Sequence, residues 1–539
     1  MNKKRIIIGL SIAAVCFSFQ SRFFEIAKQI EIYNSVFKEL NVNYIDEINP
    51  GDLTDKTIKS TLKNLDPYTN FFNEQDVEEA KIRREGEYGG IGIRSYYSKK
   101  GILVTEVYKG FTADKAGIKA GDLIVSVDGQ SVVGLERDAL SQVLKGSPGK
   151  ELSLTIMQGK QRVEKDLMLD KVMVNPVPFY EMIDEETGYI VLTRFTSQKA
   201  TEGVMQAFKA LKEKGMKSLV FDLRSNPGGS LFDAINITNL FIPKDRVVVD
   251  TRGKVASNSR VYKSRNTPLD TEIPMVVLID NRSASASEIV SGALQDYDRA
   301  VIMGERSFGK GLVQRYYDLS YGTQIKITIS KYYTPSGRCI QEFDYENRDP
   351  KTGKVPKFSD GKVNAFTTQN GRMVYDGGGV TPDVKTRVEA REGVVNNLLR
   401  SNAVFNFATE YWRSGKPVDS LEFKVTTADF QQFKDYLMQR DTTFVTEQEK
   451  LFKRAYTAVK KNEQIKDEYS QLVTKLKTAK IAALNAHEKR LLAKIEKEIV
   501  KQVHYREGMY RHQLRNDAEI QRATALLKNK TKYRAILAK

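Results

Sequence analysis

Cysteine, histidine and tryptophan are nearly absent, with two, three and one copies in 539 residues. Cys16 lies in an apolar N-terminal run and Cys339 stands alone far along the chain. If the leader is removed, no intramolecular disulfide can form, so packed cores must carry the stability even in an oxidising compartment. Cys339 is then expected to be a small buried hydrophobe. The three histidines, His487, His504 and His512, all fall near the C-terminus. That placement argues against a Ser-His-Asp triad unless the tail folds back over the site. Long apolar runs are scarce as well. The N-terminal run over residues 6–19 has 14 residues, short of the roughly 20 that a membrane-spanning helix needs.

What is present starts with that N-terminus. Lys3, Lys4 and Arg5 precede the apolar run, the pattern of a secretory signal. Residues 1–21 therefore read as a signal peptide or an uncleaved signal anchor, and the chain as exported and periplasmic, with anchoring to the inner membrane left open. Val15 before Cys16 argues against lipidation. The length exceeds one core and points to several domains. The net charge of +17 is concentrated: from residue 386 onward, 31 Lys+Arg against 19 Asp+Glu leave +12. Acids and bases alternate there at helical steps, which reads as solvated helix faces and argues against nucleic acid as a partner.

Along the chain, residues 22–87 look helical, with Phe23, Ile26, Ile30, Tyr33 and Phe37 at three- and four-residue steps and a turn at Leu65-Asp66-Pro67-Tyr68. Residues 88–170 change to short strands with one short helix expected over 138–144. Residues 171–385 alternate strand and helix, the pattern of a layered α/β core. Residues 386–539 form a basic helical region. Within the β-rich part, Gly89-Gly90-Ile91-Gly92-Ile93 can expose successive backbone N–H groups to a terminal carboxylate, beside a strand edge able to accept a peptide. With Ala116-Gly117-Ile118-Lys119-Ala120-Gly121-Asp122 and Val127-Asp128-Gly129, this stretch resembles a PDZ domain of the bacterial protease type. Its peptide-binding residues would be Gly90, Ile91, Gly92 and Ile93.

The chemistry is concentrated between residues 281 and 314. Met275 to Asp280 reads as a buried strand, Ser283-Ala284-Ser285-Ala286-Ser287-Glu288 as a tight turn, and the residues from Ile289 as a helix. A serine at that junction faces backbone N–H groups and the positive end of a helix dipole, which suits an oxyanion. Ser285-x-x-Glu288 is equally a capping box, which needs no catalytic role. A base for the serine must be sought outside histidine, and a lysine lowered in pKa by burial can serve. Lys310, in Gly304-Glu305-Arg306-Ser307-Phe308-Gly309-Lys310-Gly311, is the candidate. The same stretch reads GxxxxGK, yet Gly311 replaces the Mg²⁺-binding hydroxyl and a strand pattern follows, which argues against a nucleotide site.

The serine turn, the lysine 25 positions on, Gln314, Asp222-Leu223-Arg224-Ser225-Asn226-Pro227-Gly228-Gly229, Gly377-Gly378-Gly379-Val380-Thr381-Pro382-Asp383 and Leu65-Asp66-Pro67-Tyr68 together resemble the carboxyl-terminal processing (tail-specific) proteases. The resemblance covers about residues 30–385. It implies a core resembling the crotonase and Clp protease folds with an inserted PDZ domain. It also implies Ser285 as nucleophile, Lys310 as base, Gln314 as the group orienting the lysine, and Gly228 and Ala286 as oxyanion hole. No cofactor and no metal is implied. The expected partners are proteins or peptides with accessible C-termini; a homo-oligomer, or an adaptor or envelope partner on the C-terminal helices, is left open. Two other readings remain: an inactive PDZ peptide-binding protein, and an acyl-CoA enzyme on the same fold.

Overall fold

The computed structural model describes residues 3–77, 80, 87–135, 140, 143–196, 198–361, 363–386, 393–419, 421–439, 445–459 and 463–538. They divide into two units, residues 1–77 with 314–328, and residues 78–313 with 329–539.

The first unit opens with helix α1 (Lys3–Asn43) and α2 (Pro50–Lys63). Asn49 starts α2 as its N-cap, its side chain accepting from Gly51 N–H and Asp52 N–H at 2.9 and 3.2 Å, with Pro50 at the first helical position where no N–H is needed. Strand β1 (Asn70–Phe72) pairs antiparallel with residues 324–326. Between them Asp66 folds the chain into a turn, accepting from Tyr68 N–H and Thr69 N–H at 2.8 and 2.9 Å. No helix among the described residues is long and apolar enough to cross a membrane.

The second unit begins with the glycine-rich strand region. Strands β2 (Glu87–Gly90), β3 (Ile93–Ser98), β4 (Gly101–Val107), β5 (Leu123–Val127), β6 (Glu151–Gln158), β7 (Gln161–Met168) and β8 (Asp170–Met173) form it, with β2 paired to β8 and the others in the order β3-β4-β5-β6-β7. Ile102, Val104, Ile124, Leu152, Leu154 and Ile156 fill its core. Strand β3 lies at the edge of that sheet. The short helix expected over 138–144 falls largely outside the described residues.

The α/β layer that follows uses β9 (Phe179–Met182), β10 (Thr187–Val191), α3 (Lys199–Glu213), β11 (Ser218–Asp222), α4 (Leu231–Asn239), β12 (Met275–Ile279), α5 (Ala286–Asp296), β13 (Val301–Gly304) and β14 (Val384–Lys385). The strands lie in sequence order; β9 is antiparallel to β10 and the rest are parallel. Parallel strands added in one direction by right-handed crossovers place every connecting helix on one face. Accordingly α3, α4 and α5 share one core with that face, through Val204, Phe208, Ala234, Ile237, Ile289 and Ala293.

That leaves a second face, and β10, β11, β12 and β13 are buried at every residue. The cover comes from the end of the chain. Helices α6 (Ala403–Arg413), α7 (Glu488–Asn516), α8 (Ala518–Lys528) and α9 (Lys530–Leu537) belong to the basic region. Ile520, Ala523, Leu526 and Leu527 of α8 and Tyr533 of α9 pack on Val220, Val276, Leu278 and Val301. The Tyr533 hydroxyl accepts from Met275 N–H at 2.9 Å and donates to Met275 O at 3.1 Å. The preceding helices hold a separate aromatic core around Phe407, Phe430 and Phe433, and they reach the β-rich region: Arg413 pairs with Asp122 at 2.5 Å, and Arg506 with Glu106. Helical geometry breaks inside α7 at His504 and Tyr505, the latter at φ 60°. Cys339 is half-buried rather than fully buried, on a segment that forms an isolated bridge to Tyr333.

Candidate active site

Ser285 stands where the chain leaves β12 and enters α5, with φ 56° and ψ −113°. A non-glycine residue in that region carries about 1–3 kcal/mol of strain and persists only where neighbours hold it. The neighbours are specific. Ala284 N–H donates to Asn226 O at 3.0 Å, and Phe308 N–H donates to Ser283 O at 3.0 Å. The Ser283 hydroxyl donates to Leu223 O at 2.8 Å and the Ser287 hydroxyl to Asn226 O at 3.0 Å, so both flanking serines brace the turn. Ser285 itself is half-buried.

The capping box seen in the sequence is realised in an unexpected way. Glu288 is fully buried, and its Oε2 accepts from Ser285 N–H at 2.7 Å and from Lys310 N–H at 2.9 Å. Its Oε1 accepts from the Ser307 hydroxyl at 2.6 Å and Gly309 N–H at 2.7 Å. One carboxylate thus ties the backbone of the serine turn to the backbone of the lysine loop. Burial pushes its pKa above the usual glutamate range, against the pull of these four donors. Capping-box spacing identified the residue but gave no sign that it reaches a loop some twenty positions later.

Lys310 is half-buried in the loop between β13 and the strand Leu312–Asp318, and no helix opens there, as a phosphate loop would require. Gly309 takes φ 86°, and a Cβ on it would come within 2.7 Å of the Glu342 Cβ, so the approach to Lys310 admits glycine.

Gly228 is at φ 92°, and a Cβ there would lie 2.6 Å from Ala284 O, 2.8 Å from Ala286 N and 2.9 Å from the Ser285 Cβ. The DLRSNPGG loop therefore lies directly against the serine turn. Ala286, at the first helical position, offers one of the N–H groups a helix leaves unpaired. The Gly228 N–H donates to the Asn226 side-chain oxygen at 2.9 Å.

Gln314 belongs to the first unit. Its amide donates to the Thr328 hydroxyl at 3.2 Å, which donates to Asp66 at 3.2 Å, so it shares a network with the Leu65-Asp66-Pro67-Tyr68 turn. Two of the three histidines are occupied elsewhere: Nε2 of His504 donates to Val418 O at 2.6 Å and Nε2 of His512 to Phe423 O at 2.9 Å.

In the glycine loop, Gly90, Ile91 and Gly92 are buried, and the carbonyls of Ile91 and Gly92 accept from Ala113 N–H and Tyr108 N–H at 2.9 and 2.8 Å. Gly92 has φ 80°, and a Cβ on it would lie 2.3 Å from the Phe111 Cβ.

A serine on a strained strand-to-helix turn, a lysine loop fixed to that turn and a glycine loop lying against the serine define a hydrolase-type site. Comparison with known proteins agrees. Residues 186–346 match the family model "Peptidase family S41", residues 79–157 match "PDZ domain", and residues 394–527 match "Probable PDZ-protease, C-terminal helical domain". The chain is 32% identical over 318 residues to the carboxy-terminal-processing protease of Bartonella bacilliformis, covering 58% of this chain and 73% of that protein. It is 30% identical over 377 residues to a probable CtpA-like serine protease of Staphylococcus haemolyticus, covering 69% and 73%. A solved photosystem II D1 C-terminal processing protease is 26% identical, over 66% of this chain and 92% of that one, at a TM-score of 0.36. The chain belongs to the carboxy-terminal-processing protease family, the S41 peptidases, and carries a PDZ domain and a helical C-terminal region.

Proposed function

We propose that this chain is an exported serine endopeptidase that cleaves proteins near accessible or unfolded C-terminal tails, with Ser285 as nucleophile and Lys310 as general base. The observation that carries the reading is the strained Ser285 turn held to the Lys310 loop by Glu288. In the reaction, Ser285 Oγ attacks the scissile carbonyl while the unprotonated Lys310 amine takes its proton. The lysinium then protonates the leaving amine, and water hydrolyses the acyl-enzyme by the reverse roles. Ala286 N–H and Gly228 N–H would stabilise the oxyanion, the latter by sharing the hydrogen that Asn226 now accepts. Gln314 would orient the lysine once substrate is bound. We read the sheet, with its crossover helices on one face, as a core of the crotonase and Clp protease kind.

Substrate choice is assigned to the PDZ domain. The edge position of β3 supports addition of a peptide strand, and the glycine loop before it supports capture of the terminal carboxylate. Export rests on the basic residues and apolar run at the N-terminus.

The test is kinetic. Ser285→Ala and Lys310→Ala should abolish cleavage of a flexible peptide with circular dichroism unchanged, and Lys310→Arg should be equally dead because guanidinium cannot release its proton near neutral pH. Wild-type kcat/KM should rise with pH as the lysine deprotonates, then level off. An active Lys310→Arg enzyme would remove lysine from the mechanism.

A further inference from the structure

Arg224 leaves the end of β11 and is the first charged residue of the loop that lies against Ser285. Its Nε donates to both Asp222 oxygens at 3.1 and 3.0 Å, and its Nη2 to Asp222 Oδ2 at 2.6 Å. The Tyr189 hydroxyl holds Asp222 from the sheet at 2.7 Å. The other arm of the guanidinium turns to the end of the chain: Nη1 donates to Asp517 Oδ2 at 2.9 Å and Glu519 Oε2 at 2.7 Å. The three side chains of that outer contact are 14%, 17% and 25% exposed, so the pairing is largely out of water, where geometry counts more than at the surface. The half-buried Lys497 of α7 lies within electrostatic reach of Arg224, Asp517 and Asp222.

From Arg224 the loop passes straight into the site. Ser225, at φ 60°, donates its N–H and hydroxyl to Asp280 at 2.8 and 2.9 Å. Asn226 is fully buried, donates to Leu192 O at 2.8 Å, and accepts at its backbone oxygen from Ala284 N–H and the Ser287 hydroxyl. Gly228 follows, in contact distance of Ser285 and Ala286.

We propose that Asp517 and Glu519, from the C-terminal helical region, are positioning residues for peptide hydrolysis: they clamp Arg224 and through it fix the 224–229 loop that places an oxyanion donor against Ser285. The proposal rests on the Ser285–Lys310 reading above. It makes the C-terminal region part of the catalytic apparatus. Neither residue touches substrate; both act by holding a distance to which acyl transfer is sensitive, since displacements well under 1 Å at such a donor change rate. Asp517 has a second duty as N-cap of α8, accepting from Glu519 N–H and Ile520 N–H at 2.9 and 3.3 Å. Glu519 carries no cap hydrogen bond at its side chain, so it is the residue that separates positioning from helix stability.

The experiment uses the full chain, with kcat and KM on a short unstructured peptide, the rate of Ser285 labelling by a fluorophosphonate, and thermal unfolding measured on each variant. Glu519→Gln should lower kcat and the labelling rate about tenfold, as expected for a misplaced oxyanion donor, with KM within about twofold and the unfolding midpoint within a few degrees. Glu519→Asp should recover part of the loss, and Arg224→Lys should reproduce it, because an ammonium cannot bridge three carboxylates as a fork. A folded Glu519→Gln protein that labels and turns over like the wild type overturns the positioning role while leaving the protease reading intact. A loss of rate that merely tracks a lower midpoint, and vanishes on cooling, also overturns it. A wild type that neither labels nor cleaves overturns both readings together.

Discussion

At the scale of single residues, the site is governed by groups that orient others. Glu288 is the clearest, because all four of its partners are donors and it has no proton to offer them as a carboxylate. Glu288→Gln keeps the shape, but its NH₂ group must face either the Ser285 and Lys310 N–H groups or Gly309 N–H beside the Ser307 hydroxyl, which alone of the four can turn to accept. At least one buried donor is then left without an acceptor, which costs roughly 1–3 kcal/mol. The variant should therefore unfold at clearly lower temperature, and kcat of the folded fraction should fall about a hundredfold, as for a misplaced nucleophile; calorimetry beside peptide kinetics checks it, and undiminished kcat would discount the brace. Much of this scale was legible in the sequence: Ser285 and Lys310 stand out by spacing, and Ser283 and Ser287 by their places around a turn. The role of Glu288 was not, since a capping box specifies contact with its own helix start and says nothing of loops brought alongside. The engagement of Gly228 N–H by Asn226 was equally hidden, because the sequence shows a flexible glycine pair without its hydrogen bonds.

At the scale of elements, α7 joins regions that the sequence keeps apart. It carries Arg506 to Glu106, and its Lys497 to the cluster around Arg224. Burial, then the neighbouring Lys494 and Arg224 charges, lowers the Lys497 pKa to about 8 from an ordinary value of 10.5. Between those values the unfolded chain holds the proton and the folded chain releases it, so stability should rise with pH from about 8 to 10.5. Below that window the lysine is charged in both states and its burial is a net cost. Lys497→Met should therefore be more stable than wild type at pH 7 and lose that part of the pH slope, read by urea unfolding at pH 7, 8.5 and 9.5. An identical slope in the variant would show that other groups set it. Strands and helices of the 179–304 layer were readable because continuous apolar runs and 3.6-residue periodicity are local signals. The break of α7 at Tyr505 has no local signal: neither glycine nor proline marks it.

At the scale of the whole molecule, the sheet is finished by residues that lie far from it in sequence. The basic tail read as a surface helix region, since its apolar stripe is narrow and its charges alternate; which surface it covers depends on topology, and only the one-sided crossovers expose the need for a second layer. Ile520, Leu526, Leu527 and Tyr533 are all nearly inaccessible, and burial of each large apolar side chain is worth about 1.5–3 kcal/mol. Together that is about 6–12 kcal/mol, comparable to the 5–15 kcal/mol stability of a typical domain. Truncation after residue 516 should thus yield a protein that binds hydrophobic dye, digests readily with trypsin and does not label at Ser285; a folded, reactive truncate would overturn this account of the core. Tyr533→Phe, losing both hydrogen bonds to Met275, should lower the midpoint without unfolding the chain. The pairing of Tyr533 with Met275 across 258 positions also has a meaning in time. A contact between residues so far apart closes a long loop, so this wall of the sheet is expected to form late, after the local strands and helices of the layer.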